Sequence, residues 1–318
     1  RTADAGEAAV SQVPIAIAGF GKIARDQHVP AIAASAEFEL VAVADPAGCD
    51  EALPGYRAIS AMLAAHPEIA ALSLCMPPRF RAAAAREAIA AGKHVLLEKP
   101  PCASLAEASE LERLAREAGV TLFTAWHSQK GAAVAAAREW LRGRTIESVR
   151  VNWKEDVRVW HPGQTWIWQS DGFGVFDPGI NALSILTAIL PCALRLVEAD
   201  LTVPVNCETP IAARLELAGD SGFPIVAEFD FRQTGPQSWD IEIEATDGNL
   251  RLAHGGNRLE IDGEQRAVAD EGEYPQLYAD FAALIRAGAC GVDLAPLKLA
   301  RDALRTGRVA AVERFEAH

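Results

Sequence analysis

The sequence predicts an α/β protein: a doubly wound parallel sheet in the first part, then an α+β domain built on a large, mostly antiparallel open sheet. Three observations carry this. From Pro14 to about Ala125, short apolar runs alternate with helix-like stretches, the pattern of strands buried on both faces by crossover helices. The first run ends in Gly19-Phe20-Gly21-Lys22-Ile23-Ala24, which opens a helix. From Arg195 to about Val268, β-like runs succeed one another across short turns, and short turns join antiparallel strands.

The strands of the first part are PIAIAG (14–19), ELVAVAD (39–45), AALSLCMPP (70–78), HVLLEKP (94–100) and VTLFTAW (120–126). Alanine-rich helices at 80–91 and 105–117 are each followed by a glycine, Gly92 and Gly119, in the C-cap position. After a helix near 132–141 the texture changes. SVRVNWKEDVRVW (148–160) alternates apolar and polar residues as a half-exposed strand does. A loop rich in Gly, Trp and Gln leads to a helix starting near Asp177. The runs LRLVEADLTV, IAARLELA, PIVAEFDF, DIEIEAT and NLRLA follow, separated by turns such as Asp220-Ser221-Gly222, Asp247-Gly248 and Gly255-Gly256-Asn257. Helices at 274–287 and 296–305 close the chain. The expected division is a first domain over 13–127 and a second over 128–318. Residues 1–12 are small and polar and read as a disordered leader or cloning remnant.

Composition narrows the function. The 318 residues are 50% hydrophobic and 23% charged, with 43 acidic against 30 basic side chains and a formal charge of −13. That field repels a phosphate backbone and argues against nucleic-acid partners. No apolar run reaches the length of a membrane span. The six cysteines show no C-x-x-C spacing and none pairs with His at a metal-ligand interval. The expectation is a reduced, cytoplasmic protein without a metal.

Glycines at 19 and 21, placed between strand and helix, are the device that receives a pyrophosphate. The first permits a tight turn, the second lets the phosphates approach, and the helix N-terminus supplies N–H groups. Ala24 stands where a third glycine is common. Gly19, Phe20, Gly21, Lys22 and Ile23 are therefore cofactor-binding candidates. Asp45, ending the second strand, can accept from the adenosine ribose hydroxyls and repels a 2′-phosphate, which favours NAD while leaving NADP possible. Met76, Pro77, Glu98 and Lys99 end the third and fourth strands on the same edge and complete the expected crevice of this Rossmann arrangement.

Lys99, held by Pro100-Pro101, can either donate to a substrate oxygen or take a proton if burial lowers its pKa; it can equally be a surface lysine. In Gly172–Asn181, Pro178 suits a first helical position, making Asp177 an N-cap and placing Asn181 one turn onward. Both side chains can then reach one ligand, or Asp177 can simply cap its helix. Trp160, Gln164, Trp166 and Trp168, with His161 among them, offer indole faces beside polar groups, as a sugar-binding wall requires. His127 leaves the fifth strand at the crevice, where it can hydrogen-bond substrate or nicotinamide or be merely structural; Glu155 and Asp156, on the first strand of the second part, are weaker substrate-binding candidates.

G-x-G-x-x-A, then Glu98-Lys99-Pro100, then an Asp with a polar residue four positions later resembles the Gfo/Idh/MocA oxidoreductases, over Pro14 to about Phe315. E-K-P-P, W-H-S (126–128), W-H-P-G-Q (160–164) and G-V-F-D-P-G-I-N-A-L-S (174–184) are similar to that family's bacterial aldose 1-dehydrogenases. The resemblance implies an NAD(P)-dependent oxidation of D-galactose, with L-arabinose and D-fucose, to an aldonolactone, in a homodimer. It implies that Lys99 is the active-site lysine. It also implies that Asp177 and Asn181 stand where many members carry Asp and His. Asn181 cannot exchange a proton near neutrality, so Asp177 and Lys99 remain the proton-transfer candidates and Asn181 orients a hydroxyl. A same-fold dehydrogenase of a cyclitol or other sugar, or a non-catalytic NAD(P)-binding sugar sensor, are the competing readings.

Overall fold

A computed structural model describes residues 12–49, 53–220 and 222–316. The expected leader lies outside these except for Gln12, whose side-chain amide donates to the carbonyls of Ser35 and Phe38. Strands β1 (Val13–Ala18), β2 (Phe38–Ala44), β3 (Gly55–Tyr56), β4 (Ala71–Leu74), β5 (His94–Glu98) and β6 (Leu122–Ala125) form a parallel sheet in the order β3-β2-β1-β4-β5-β6. Its order reverses between β1 and β4, which opens a crevice at their carboxyl ends. The five expected strands are present. β3 and helix α2 (Ile59–Ala65) were not anticipated, since a two-residue strand leaves no periodic signal.

The helix after the glycine turn runs over 22–33, with a π-turn at Ala24–His28 followed by α1 (Val29–Ala33). Helices α3 (Pro78–Ala90) and α4 (Leu105–Ala118) cover one face of the sheet. α4 starts with a Ser104–Glu107 capping box and stops at Gly119 in the left-handed conformation. The other face is covered partly from far along the chain. In α8 (Glu273–Ala287), Tyr274, Leu277, Tyr278 and Phe281 repeat at helical spacing and pack with Ile15, Ile17, Phe38 and Leu96.

Helix α5 (Val134–Leu141) leads into the second sheet, of nine strands. These are β7 (Ile146–Lys154), β8 (Leu194–Pro204), β9 (Ala212–Gly219), β10 (Pro224–Asp230), β11 (Ser238–Ala245), β12 (Gly248–Ala253), β13 (Arg258–Ile261), β14 (Glu264–Arg266) and β15 (Arg308–Val312). Their order is β14-β13-β12-β11-β7-β10-β9-β8-β15, with β7–β10 and β8–β15 parallel and the other pairs antiparallel. The expected strand over 148–160 is a correction. β7 stops at Lys154 because Asp156 caps a short helix, α6 (Val157–Trp160), by accepting from the Arg158 N–H.

One face of this sheet is roofed by α7 (Phe176–Ile189), with α9 (Ala295–Thr306) packed beside it. A Cβ on Gly179 would stand 2.9 Å from the Phe229 ring, so this glycine lets α7 lie directly on β10. The opposite face is open, and along β10 Val226, Glu228 and Asp230 alternate outward with buried Ile225, Ala227 and Phe229. Among the described residues no helix is long and apolar enough to cross a membrane.

Candidate active site

The cofactor crevice begins at Gly19, whose φ of +84° is a conformation other residues resist. A Cβ there would stand 2.3 Å from the Met76 backbone nitrogen, so β1 and β4 can approach only with glycine at this point. A Cβ on Gly21 would meet nothing within 4 Å, which leaves that side of the turn open to a ligand. The first N–H groups of the helix over 22–33 face the same opening, as helix starts do. Asp45 is fixed by two backbone donors, Phe20 N–H at 2.8 Å and Ala47 N–H at 2.9 Å, one to each oxygen. Each oxygen keeps a lone pair for a ribose hydroxyl. The Arg57 guanidinium donates to the Pro46 carbonyl in the same turn. These features fit a dinucleotide: a glycine cradle for the pyrophosphate and a held carboxylate for the ribose.

A cavity of about 280 Å³ continues from the turn, between Lys22 and Ile23 on one side and Met76 and Pro77 on the other, to Lys99, Asp177, Gln164 and Trp166. Of the expected cofactor residues, Gly19, Phe20 and Asp45 lie behind it at the turn, and Glu98 forms its floor. Strand alternation points Glu98 and Lys99 to opposite sides. Glu98 is 2% exposed. It accepts from the Tyr274 hydroxyl and the Lys99 N–H, with His28 Nε2 at 3.4 Å. Burial opposes its charge, but the His28 hydrogen bond and charge, with His127 and Lys99, draw its pKa down to about 2. Buried Arg81 donates to the carbonyls of Glu98, Pro100 and Met76, which clamps the ends of β4 and β5 together.

Lys99 reaches the other way. Its ammonium donates to the Asp177 carbonyl at 3.0 Å and to Asp177 Oδ1 at 3.3 Å. Asp177 is 4% exposed and lies in the first turn of α7 rather than at its cap. The N-cap is Val175, since Gly174 already turns the chain and accepts the Asp177 N–H. The carboxylate is thus free of the capping role expected of it. Asn181 follows one turn on and lines the next cavity.

That second cavity, of about 330 Å³, holds Lys99, Asn181, His127, Glu155 and Trp160, with Trp153 and Trp239 also in its wall. Trp160 and Trp239 lie 4.6 Å apart between ring centroids, and Trp239 stacks on Trp153 at 6.1 Å. His127 pairs with Glu273 and stacks on Tyr274. Glu155 is 1% exposed and has both oxygens engaged, one by His161 Nε2 at 2.9 Å and one by the Trp239 indole N–H at 2.8 Å. Gln164 and Trp166 sit on the dinucleotide side. Trp168 is turned away, packed against Phe231 and Phe315.

His161 borders both cavities. Its Nδ1 stands 3.6 Å from Asp177 Oδ2. Burial works against its charged form, yet the Glu155 hydrogen bond and the Asp177 and Glu155 charges outweigh it and raise its pKa. The sequence placed His161 within the tryptophan-rich loop without giving it a role. Trp239, 79 residues beyond Trp160 on β11, carried no signal that would bring it here.

Comparison with known proteins places the chain in a family. Residues 13–126 match the model of an oxidoreductase family with an NAD-binding Rossmann fold. The chain is 45% identical over 304 residues to galactose 1-dehydrogenase of Pseudomonas fluorescens, covering 95% of this chain and 98% of that protein. It is 51% identical to the crystal structure of D-galactose-1-dehydrogenase from Rhizobium etli, with a TM-score of 0.91 over 96% of this chain and 99% of that one. The WlbA dehydrogenase of Bordetella pertussis, solved with NADH and UDP-GlcNAcA, shares the fold at 21% identity and a TM-score of 0.79, covering 93% and 97% of the two chains. The chain belongs to the Gfo/Idh/MocA oxidoreductase family.

Proposed function

We propose that this chain is an NAD(P)-dependent aldose 1-dehydrogenase that oxidises D-galactose to its aldonolactone, with L-arabinose and D-fucose as further substrates. The observation that carries the reading is the Lys99–Asp177 pair at the junction of a dinucleotide cavity and an indole-walled cavity. Similarity to two galactose dehydrogenases supports the choice of sugar. When bound, the nicotinamide supplies the hydride acceptor for carbon 1. The protein's part is to seat the sugar and take the anomeric hydroxyl proton. Trp160 and Trp239 offer faces to the C–H side of a pyranose, and Asn181 orients a ring hydroxyl. The ring oxygen makes the anomeric hydroxyl more acidic than an ordinary alcohol, so a modest base suffices, with Asp177 and Lys99 the two candidates.

In this reading residues 13–127 hold the dinucleotide and 128–318 the sugar. The open face of the nine-stranded sheet pairs two copies, and the six unpaired cysteines fit a cytoplasmic setting. Following NADH absorbance at alkaline pH over a panel of aldoses, ketoses and cyclitols tests the proposal. The highest kcat/KM is expected with D-galactose. NAD binding without turnover on any aldose refutes the enzyme, and a cyclitol in first place refutes the substrate.

A further inference from the structure

Asn181, one turn beyond Asp177 on α7, cannot exchange a proton near neutrality. The structure brings an imidazole to the Asp177 carboxylate. His161 stands with Nδ1 3.6 Å from Asp177 Oδ2 and Nε2 2.9 Å from Glu155 Oε1. Glu155 is buried and its second oxygen is held by the Trp239 indole N–H, so it stays a fixed acceptor. In the neutral ring a fixed acceptor at Nε2 keeps hydrogen on Nε2, so Nδ1, which faces Asp177 Oδ2 and Gln164 Oε1, is the nitrogen that gains and loses a proton. The groups facing the ring are Asp177 from α7, Glu155 from the end of β7, Lys99 from the end of β5 and the neutral Gln164 amide, with Phe231 against its plane. A separation of 3.6 Å is of the kind that tightens when substrate seats.

We propose that His161, oriented by Glu155, accepts through Nδ1 the proton that Asp177 receives from the substrate hydroxyl. The O–H bond breaks toward the Asp177 carboxylate as the C1–H pair leaves as hydride to the oxidised dinucleotide and C1–O becomes a carbonyl. Asp177 then returns to its carboxylate by passing the proton to His161, whose new charge lies between two carboxylates. A third cavity, of about 250 Å³, starts at His161 and reaches exposed Glu316, an outlet toward solvent. Because His161 acts through Asp177 it is a positioning and proton-holding residue, and the inference rests on the dehydrogenase reading above.

The test compares wild type with His161→Asn and Glu155→Gln. His161→Asn keeps a hydrogen-bonding side chain but no base, and should lower kcat on D-galactose by about 100-fold or more. Its NAD affinity, read by protein fluorescence, should hold. Glu155→Gln should move the acid limb of kcat to lower pH, because loss of that carboxylate lowers the His161 pKa. In wild type with ¹⁵N-labelled histidine, the His161 imidazole should titrate above the ordinary value of about 6.5, and lower in Glu155→Gln. A His161→Asn enzyme with wild-type kcat and pH profile overturns the proposal. If that variant does not fold, an unmoved titration in Glu155→Gln overturns it instead. Wild type inactive on D-galactose removes the substrate reading alone, since the imidazole titration still decides whether Glu155 poises His161.

Discussion

Replacing Glu98 by Gln probes the buried layer beneath the site. In the native protein the Glu98 carboxylate is surrounded by His28, Tyr274 and the Lys99 N–H. Burial opposes its charge, but His28, His127 and Lys99 together hold its pKa at about 2 against an ordinary 4.5. His28 is also buried, which opposes its charge, yet Cys75, Tyr278 and Glu98 raise its pKa well above the ordinary value. The two stabilise over different ranges. Glu98 contributes fully above about pH 4.5 and loses its contribution as pH falls toward 2. His28 contributes fully below about pH 6.5 and loses its contribution as pH rises through its raised pKa. The pair therefore stabilises most between about pH 4.5 and 6.5. The Glu98 shift corresponds to about 3 kcal/mol, in the range expected when one partner of a buried ion pair is removed. For a chain of this size that is about 4–5 °C in melting temperature. Circular-dichroism melts from about pH 5 to 9 should show wild type losing stability as pH rises above about 6.5. Glu98→Gln should melt lower at pH 6 and show a shallower slope, since Cys75 and Tyr278 still raise the His28 pKa. A variant that melts within about 2 °C of wild type and keeps the slope would refute the reasoning.

Lys99→Ala removes the ammonium that faces Asp177, and galactose turnover should fall by at least about 1,000-fold while NAD still binds. Turnover within tenfold of wild type would show that the lysine takes no part in the chemistry. Gly19→Ala places a methyl 2.3 Å from the Met76 nitrogen at a φ of +84°, so NAD binding by fluorescence should be lost; native affinity would mean the turn is not the cradle. Asp45→Ser removes the charge that repels a 2′-phosphate beside the Arg57 guanidinium. The ratio of NADP to NAD dissociation constants should move toward NADP by about tenfold, or about 1.4 kcal/mol. An unchanged ratio would place the ribose elsewhere.

The first sheet was legible because its strands are short apolar runs punctuated by Gly and Pro, and each local signal agrees with the parallel order. The second sheet was legible in its long strands β8 to β12 but not in β14 or β15, where three polar residues and a tail strand show no alternation. The return of α8 to the first sheet was hidden because its periodicity states which face is apolar, not which sheet receives it. The site shows the same division. Lys99, Asp177 and Asn181 lie in local motifs. Glu155 lines the indole-walled cavity, and its partners are His161, six residues on, and Trp239, 84 residues on. Pairing across that distance is set by the β7–β11 register, in which Trp153 stands opposite Trp239, and no spacing in the chain records it.

The adjacent residues Glu98 and Lys99 connect the two halves of the chemistry. Because a strand turns successive side chains to opposite sides, one residue faces the interior and the next faces the crevice. Glu98 ties the end of β5 to the π-turn of the helix that follows the glycine turn, through His28, and to α8, through Tyr274. Tyr278 extends the link to Ser73 on β4. Lys99, held by its own N–H to the Glu98 carboxylate, then reaches Asp177 on a helix of the other sheet. Glu98 thus couples the helix after the glycine turn to the end of β5 that carries Lys99. Loosening the buried carboxylate should weaken cofactor binding and turnover together, although Glu98 is buried below the crevice surface.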